Sequence, residues 1–279
     1  MNALEIIKIG SNLLKEKKIK SHILDSELLL SKTLNKSREE ILINLDKELS
    51  KNNILTFKKY LKRRSKDEPI AYILGEKEFW SKKFDVSRHT LIPRPETELL
   101  VEKLSLIFKG KKISILDIGT GSGCIILSLL SVLKQSVGVG IDISRKAIFI
   151  ARKNAIKHKL FNRIKFFNRS FENIFAIKFD LVVSNPPYID RKKIKNLSND
   201  IKKYEPIMAL DGGNDGLDLI KKVIYKAKYI LKINGILALE IGNEQDKKVS
   251  KILIDNNFRI KHVIKDYKNN IRCVIAYYN

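Results

Sequence analysis

A parallel, doubly wound α/β sheet behind an all-helical segment is the architecture that three features of this 279-residue chain predict. From Gly110 onward, short apolar runs alternate with helix-length segments, the pattern of strand–helix–strand units. A glycine-rich turn, Gly119-Thr120-Gly121-Ser122-Gly123, follows the first of those runs, where a strand would hand over to a helix. Before residue 76 the apolar residues recur at three- and four-residue steps and no strand signal appears.

In that first segment Leu4, Ile7 and Leu14 mark one helical face. Ile23, Leu24 and 28–30 mark another, and Ile54, Phe57, Tyr60 and Leu61 a third. Ser37-Arg38-Glu39-Glu40 has the spacing of a capping box and opens a further helix. Aromatic and polar residues alternate over 79–86, which predicts a short hairpin. Leu91-Ile92-Pro93-Arg94-Pro95-Glu96 reads as a stiff extended connector, with a helix starting at Glu96 or Thr97 and running to about Phe108. Parallel strands are expected at 113–117, 137–141, 164–167, 181–184 and 236–240. The runs 259–264 and 272–277, separated by a turn, predict an antiparallel edge. The expected division is a helical domain over 1–75, a hairpin and linker over 76–95 and the sheet domain over 96–279.

Composition narrows the function classes. No stretch approaches 18 consecutive apolar residues, and 1–20 is amphipathic and charged rather than a signal peptide, so a soluble, cytoplasmic protein is expected. Cys124 and Cys273 match no metal or redox spacing and should be reduced, and the four scattered histidines give no reason to expect a metal. The net charge of +24 invites a nucleic-acid reading. Lys outnumbers Arg 43 to 12, however, and Arg is the residue suited to bidentate phosphate contacts. Lys, Ile and Asn all have A- and T-rich codons, so base composition accounts for much of the lysine. Specific nucleic-acid binding is not expected.

Two motifs carry the chemistry. Asn185-Pro186-Pro187-Tyr188 ends the apolar run 179–184, and paired prolines cannot extend a strand. The turn leaves the Asn185 side-chain oxygen and the Pro186 carbonyl side by side beyond the sheet, matched to the two N–H donors of a planar –NH2 group. Tyr188 adds an aromatic face for that plane. The second motif is the glycine turn with Asp117 just upstream. A dinucleotide fingerprint would need its third glycine at Cys124, whereas here glycines stand at 119, 121 and 123. A carboxylate at Asp117 meets an ammonium group better than a pyrophosphate. Asp142, ending the second strand, lies where a ribose diol would sit. An amino-acid tail, a ribose and no phosphate describe S-adenosylmethionine, held by Asp117, Gly119, Thr120, Gly121, Ser122, Gly123 and Asp142.

With these in place the chain resembles the release-factor glutamine methyltransferase family (the HemK/PrmC type) over nearly its full length. The resemblance rests on Leu91-Ile-Pro-Arg-Pro-Glu-Thr-Glu98, the glycine turn and Asn185-Pro-Pro-Tyr188. It continues in Tyr204-Glu-Pro-Ile-Met-Ala-Leu210 with Asp215-Gly216-Leu217, and in Leu237-Ala-Leu-Glu-Ile-Gly242 with Gln245. Asn-Pro-Pro-Tyr alone is shared with adenine-N6 DNA methyltransferases, so Pro-Arg-Pro-Glu-Thr-Glu is the discriminating block. The resemblance implies a seven-stranded class I methyltransferase sheet and a helical domain that docks a protein substrate. It also implies methylation of the glutamine side chain in the Gly-Gly-Gln motif of peptide-chain release factors. Asn185, Pro186 and Tyr188 would be catalytic, Asn185 would also contact the cofactor, and Asn185, Pro186, Pro187 and Tyr188 would hold the substrate. The chain departs from the family at Arg169-Ser170-Phe171, where an acidic residue often precedes a bulky one, leaving the adenine contact to Phe171 or Ser170. Asn269-Asn270 replaces a frequent turn glycine, which asparagine's tolerance of positive φ allows. Glutamine methylation of a ribosomal protein, amino methylation of nucleic acid, and a non-enzymatic ribosome-associated binding role are the alternatives.

Overall fold

The computed structural model describes residues 1–174 and 177–279. The chain folds as two compact units, Met1–Glu76 together with Ser198–Tyr204, and Lys77–Leu197 together with Glu205–Asn279.

The first unit opens with α1 (Ala3–Glu16), α2 (His22–Leu34), α3 (Arg38–Ile43), α4 (Lys51–Arg64) and α5 (Ile70–Leu74). Their starts are written in the sequence. Asn2 and Glu5 close a capping box on α1, Ser37 and Glu40 close the expected one on α3, and the Ser50 side chain accepts the Asn53 N–H on α4. The apolar stripes meet in a core of Ile6, Leu14, Leu29, Leu30, Phe57 and Leu61. Helices α1 and α2 approach closely because position 10 is glycine. A Cβ there would stand 2.4 Å from Ser26 Oγ and 2.7 Å from Phe57 Cζ. The segment Ser198–Tyr204 joins this unit through the Tyr204 hydroxyl, which donates to the Lys66 carbonyl at 2.9 Å, and through Asn199 Nδ2, 3.3 Å from Asp67.

In chain order there follow β1 (Glu76–Phe79), β2 (Lys82–Asp85), α6 (Pro95–Ile107), β3 (Ser114–Ile118), α7 (Cys124–Val132), β4 (Val137–Asp142), α8 (Arg145–Lys157) and β5 (Ile164–Asn168). Then come β6 (Phe179–Ser184), α9 (Asn199–Tyr204), α10 (Asp218–Ile230), β7 (Leu231–Glu240), α11 (Asp246–Asp255), β8 (Phe258–Lys265) and β9 (Ile271–Tyr278). β1 and β2 form the expected hairpin, turning at Trp80 and Ser81, both at φ 53°. That is the left-handed backbone a tight hairpin requires, although neither residue is the usual glycine or asparagine. Helix α6 begins at Pro95, earlier than the expected Glu96 or Thr97. Proline's missing N–H costs nothing in the first helical turn, so the connector's last proline becomes the first helical residue.

The seven remaining strands form one sheet in the order β5-β4-β3-β6-β7-β9-β8. The neighbours from β5 to β7 run parallel, and β9 lies antiparallel between β7 and β8. Asn269 turns the last hairpin at φ 63°, as asparagine allows. Alternation along each strand sends side chains to opposite faces. Ile115, Leu181, Val183, Ile236 and Ala238 pack under α6, α7 and α8, while Leu116, Val182, Leu237 and Leu239 pack under α10 and α11. With helices on both faces, the parallel strands read as near-continuous apolar runs, which is why they are legible.

Candidate active site

The sheet order reverses between β3 and β6, and the loops beyond the carboxyl ends of β4, β3, β6 and β7 gather at that point. Ile118, Ser184 and Leu239 stand in register at the ends of β3, β6 and β7. Asp142, the glycine turn, Asn185 and Glu240 therefore share one edge.

The glycine turn leaves β3 with Gly119, Gly121 and Gly123 at φ 72°, 55° and 81°. The Gly119 and Thr120 N–H groups both donate to the Ile141 carbonyl at 2.9 Å, which ties the turn to β4. Asp117, 1% exposed, accepts the Thr120 hydroxyl on Oδ2 at 2.7 Å. Its Oδ1 is buried without a hydrogen-bond partner, alone in this among the carboxylate oxygens of the described residues. Burial pushes the Asp117 carboxyl up to about 7, against the pull of the Thr120 hydroxyl and with a further push from the charge of Asp142. A buried acceptor of this kind fits a cationic donor, so the residues present suit the ammonium of an amino-acid tail. Asp142 accepts the Gly121 N–H at 3.0 Å and the Ser144 N–H at 2.8 Å, and burial raises its pKa as well.

The structure divides the expected cofactor residues. Gly119 is exposed and Gly121 half-buried, so both can face a ligand. Thr120 and Ser122 are 4% and 2% exposed, and Gly123 is buried at the start of α7. In this structure the Thr120 hydroxyl is engaged with Asp117. Ser170 Oγ accepts the Glu172 N–H at 3.2 Å, and half-buried Phe171 packs against the α10 face of the sheet.

At the end of β6, Asn185 is half-buried and Pro186 buried, and among the described residues no backbone N–H donates to the Pro186 carbonyl. Asn185 Nδ2 lies 3.5 Å from Thr97 Oγ1 on α6. Thr97 donates in turn to Glu240 Oε2 at 2.5 Å, and the Tyr188 hydroxyl donates to Glu240 Oε1 at 3.3 Å. Burial drives Tyr188 far above the ordinary phenol range, so it stays protonated. Gln245 fixes the turn from below. Its Nε2 donates to the carbonyls of Tyr188 and Gly216 at 3.0 and 3.2 Å, and its Oε1 accepts the Gly242 N–H at 2.8 Å. The Asp215-Gly216 pair has a packing reason, since a Cβ at Gly216 would lie 2.4 Å from the Tyr188 carbonyl oxygen. Arg94 pairs with Glu205 at 2.5 Å, and the other Glu205 oxygen accepts the Ile92 N–H at 3.2 Å, so the Pro-Arg-Pro and Glu-Pro blocks hold one another.

Comparison with known proteins supplies the family. Residues 5–75 match the PrmC N-terminal domain and residues 109–275 a methyltransferase domain. The release factor glutamine methyltransferase of Buchnera aphidicola subsp. Schizaphis graminum is 45% identical over 89% of this chain and 90% of its own length. That of Haemophilus influenzae is 38% identical over 96% of each chain. The chain belongs to the release factor glutamine methyltransferase family. It spans about half the length of the Rickettsia bifunctional methyltransferases it also matches, 57% for Rickettsia felis and 52% for Rickettsia typhi. Among solved structures, a ribosomal protein L11 methylase from Lactobacillus delbrueckii subsp. bulgaricus superposes with a TM-score of 0.51 at 18% identity, covering 67% of this chain and 81% of that one. The two share the class I methyltransferase fold.

The family's sequence blocks thus have physical reasons here, and Thr97, Glu240 and Gln245 are the site residues that motif reading left without a role. Their signal is spatial. Thr97 and Glu240 are 143 residues apart in sequence and meet only once α6 lies across the sheet.

Proposed function

We propose that this chain transfers the methyl group of S-adenosylmethionine to the side-chain amide nitrogen of the glutamine in the Gly-Gly-Gln motif of peptide-chain release factors. The observation that carries the reading is the pair of acceptors at the end of β6, the Asn185 side-chain oxygen and the Pro186 carbonyl. The Pro186 carbonyl takes no backbone donor among the described residues, and Thr97 and Gln245 hold the turn that bears both. Names of relatives at 38–45% identity point the same way.

S-adenosylmethionine, when bound, supplies an electrophilic methyl on a sulfonium. Asp117 would hold its ammonium, Asp142 its ribose and Phe171 its adenine, with Gly119 and Gly121 keeping the turn free of side chains. The chain's own residues then have an orienting task. A glutamine amide is a weak nucleophile because its lone pair is shared with its carbonyl, so alignment carries much of the acceleration. Asn185 and Pro186 accept both N–H bonds, fix the nitrogen and stabilise the positive charge that grows on it. Tyr188 and Pro187 confine the amide plane, and the spare proton leaves to solvent.

The helical unit docks the protein substrate, since every residue assigned to the chemistry lies in the second unit. No helix among the described residues is long and apolar enough to cross a membrane, and release factors act in the cytoplasm, where we place this protein.

The test is mass spectrometry of a release factor after incubation with the enzyme and S-adenosylmethionine. One methyl on the Gly-Gly-Gln glutamine is expected, and none once that glutamine is replaced. Label that persists in the replaced substrate, or that appears in RNA or DNA, overturns the assignment.

A further inference from the structure

We propose that Glu240 is a positioning residue whose buried carboxylate, together with Thr97, locks the Asn185 amide with its oxygen turned toward the substrate nitrogen. This rests on the amide-acceptor reading of Asn185 given above.

A carboxamide is nearly symmetric in shape, so rotamer preference alone does not choose between presenting –NH2 and presenting oxygen. Its neighbours must choose. Thr97 has one hydroxyl proton and spends it on Glu240 Oε2 at 2.5 Å, so toward Asn185 it offers only lone pairs, 3.5 Å from Nδ2. Glu240 takes the Tyr188 hydroxyl on Oε1, and the neighbouring Thr97, Tyr188 and Asn185 side chains draw its carboxyl pKa down against the larger upward push of burial. Both groups beside the amide therefore accept. Reversing it would set Oδ1 against a carboxylate and a hydroxyl lone pair and would aim –NH2 at the substrate, whose own nitrogen also donates. The wrong orientation is penalised on both sides.

The fold offers no other reason for an acid here. Glu240 is 2% exposed, and Ile236 and Ala238, four and two residues upstream on the same strand face, lie in the apolar core. Alternation alone would place an aliphatic residue at 240, and burying a carboxyl among apolar side chains is costly unless it is hydrogen-bonded. A residue kept for the amide rather than for the fold should show a split between stability and rate.

The experiment uses the full chain and the variants Glu240→Gln, Glu240→Leu, Thr97→Val and Thr97→Ser. The side-chain –NH2 of 15N-labelled Asn185 is followed by proton exchange in the ligand-free protein, and methyl transfer is followed in single turnovers. Expected are slow –NH2 exchange in the parent and in Thr97→Ser, and faster exchange in the other three. Transfer rates should fall about tenfold or more in those three. S-adenosylmethionine affinity should be unchanged throughout, and every variant should stay cooperatively folded at the assay temperature. Parent-like exchange and rate in Glu240→Leu overturn the inference, as does a slow rate explained wholly by weaker cofactor binding or early melting. If the parent itself leaves the release-factor glutamine unmethylated, the functional reading falls while the exchange arm still decides the lock.

Discussion

At the residue scale, the buried Asp117 ties the fold to pH and, on the proposed reading, to the ligand. Its carboxyl is raised by burial to about 7, far above the ordinary aspartate value of 3.8. The folded state thus holds this proton more tightly than the unfolded chain does. Stability from this group is complete below about pH 4, is lost as pH rises through 7, and is flat beyond. The ligand-free protein should therefore lose thermal stability between pH 4 and 7, and Asp117→Asn should lessen that slope in a melting series, leaving the part that buried Asp142 and Glu240 contribute. Cofactor affinity should run the opposite way, rising toward pH 7 as the carboxylate ionises to meet an ammonium. Calorimetry across that range measures it, and affinity independent of pH would separate Asp117 from the ligand. For Asn185→Ala, loss of one oriented acceptor should cost about 10²–10³ in turnover, with cofactor binding and melting temperature little changed. Much of this was readable in advance because each motif residue lies next to a strand end. The burial of Thr120 and Ser122 was not readable, since spacing marks a glycine loop without saying which of its side chains point inward. The role proposed for Glu240 was hidden because its run, Leu237-Ala238-Leu239-Glu240-Ile241, reads as a strand and as a family block without giving the acid a partner.

Elements were legible where burial made the pattern dense. The parallel strands came through because helices cover both faces, and α1, α3 and α4 because their caps are written in side chains. What stayed hidden was order in space, such as β9 between β7 and β8, because strand neighbours are chosen by packing across the sheet and not by local sequence. Gly10 belongs to the same class, one residue of α1 whose reason lies on α2 and α4. Gly10→Ala would drive a Cβ into Ser26 Oγ and Phe57 Cζ. Overpacking of this kind costs about 1–3 kcal/mol, which denaturant unfolding of the full chain should record as an earlier transition for the helical unit. Cofactor affinity should not change, since Asp117 and Asp142 lie in the other unit.

For the whole molecule, the charge of +24 predicts indiscriminate attraction to polyanions. RNA of unrelated sequences should bind alike and weaken by at least about tenfold between 50 and 200 mM salt. A preference for one sequence that survives high salt would show that the basic surface reads nucleic acid. The two units also predict separable losses. A chain starting at Lys77 retains Asp117, Asp142, Asn185 and Glu240, so it should keep cofactor affinity and lose turnover on intact release factor.

The seven residues Ser198–Tyr204, which complete the helical unit from far along the chain, bear on how the protein is made. The bundle's apolar core draws on nothing beyond Ile73, so it can close early in synthesis. The bonds from Asn199 and Tyr204 to the 66–67 turn wait until the intervening stretch has been translated, roughly 6–25 s at about 5–20 residues per second. During that interval the bundle stands assembled but unsealed at the 66–67 turn. Protease sensitivity at the 66–67 turn of the nascent chain should therefore fall once α9 has emerged.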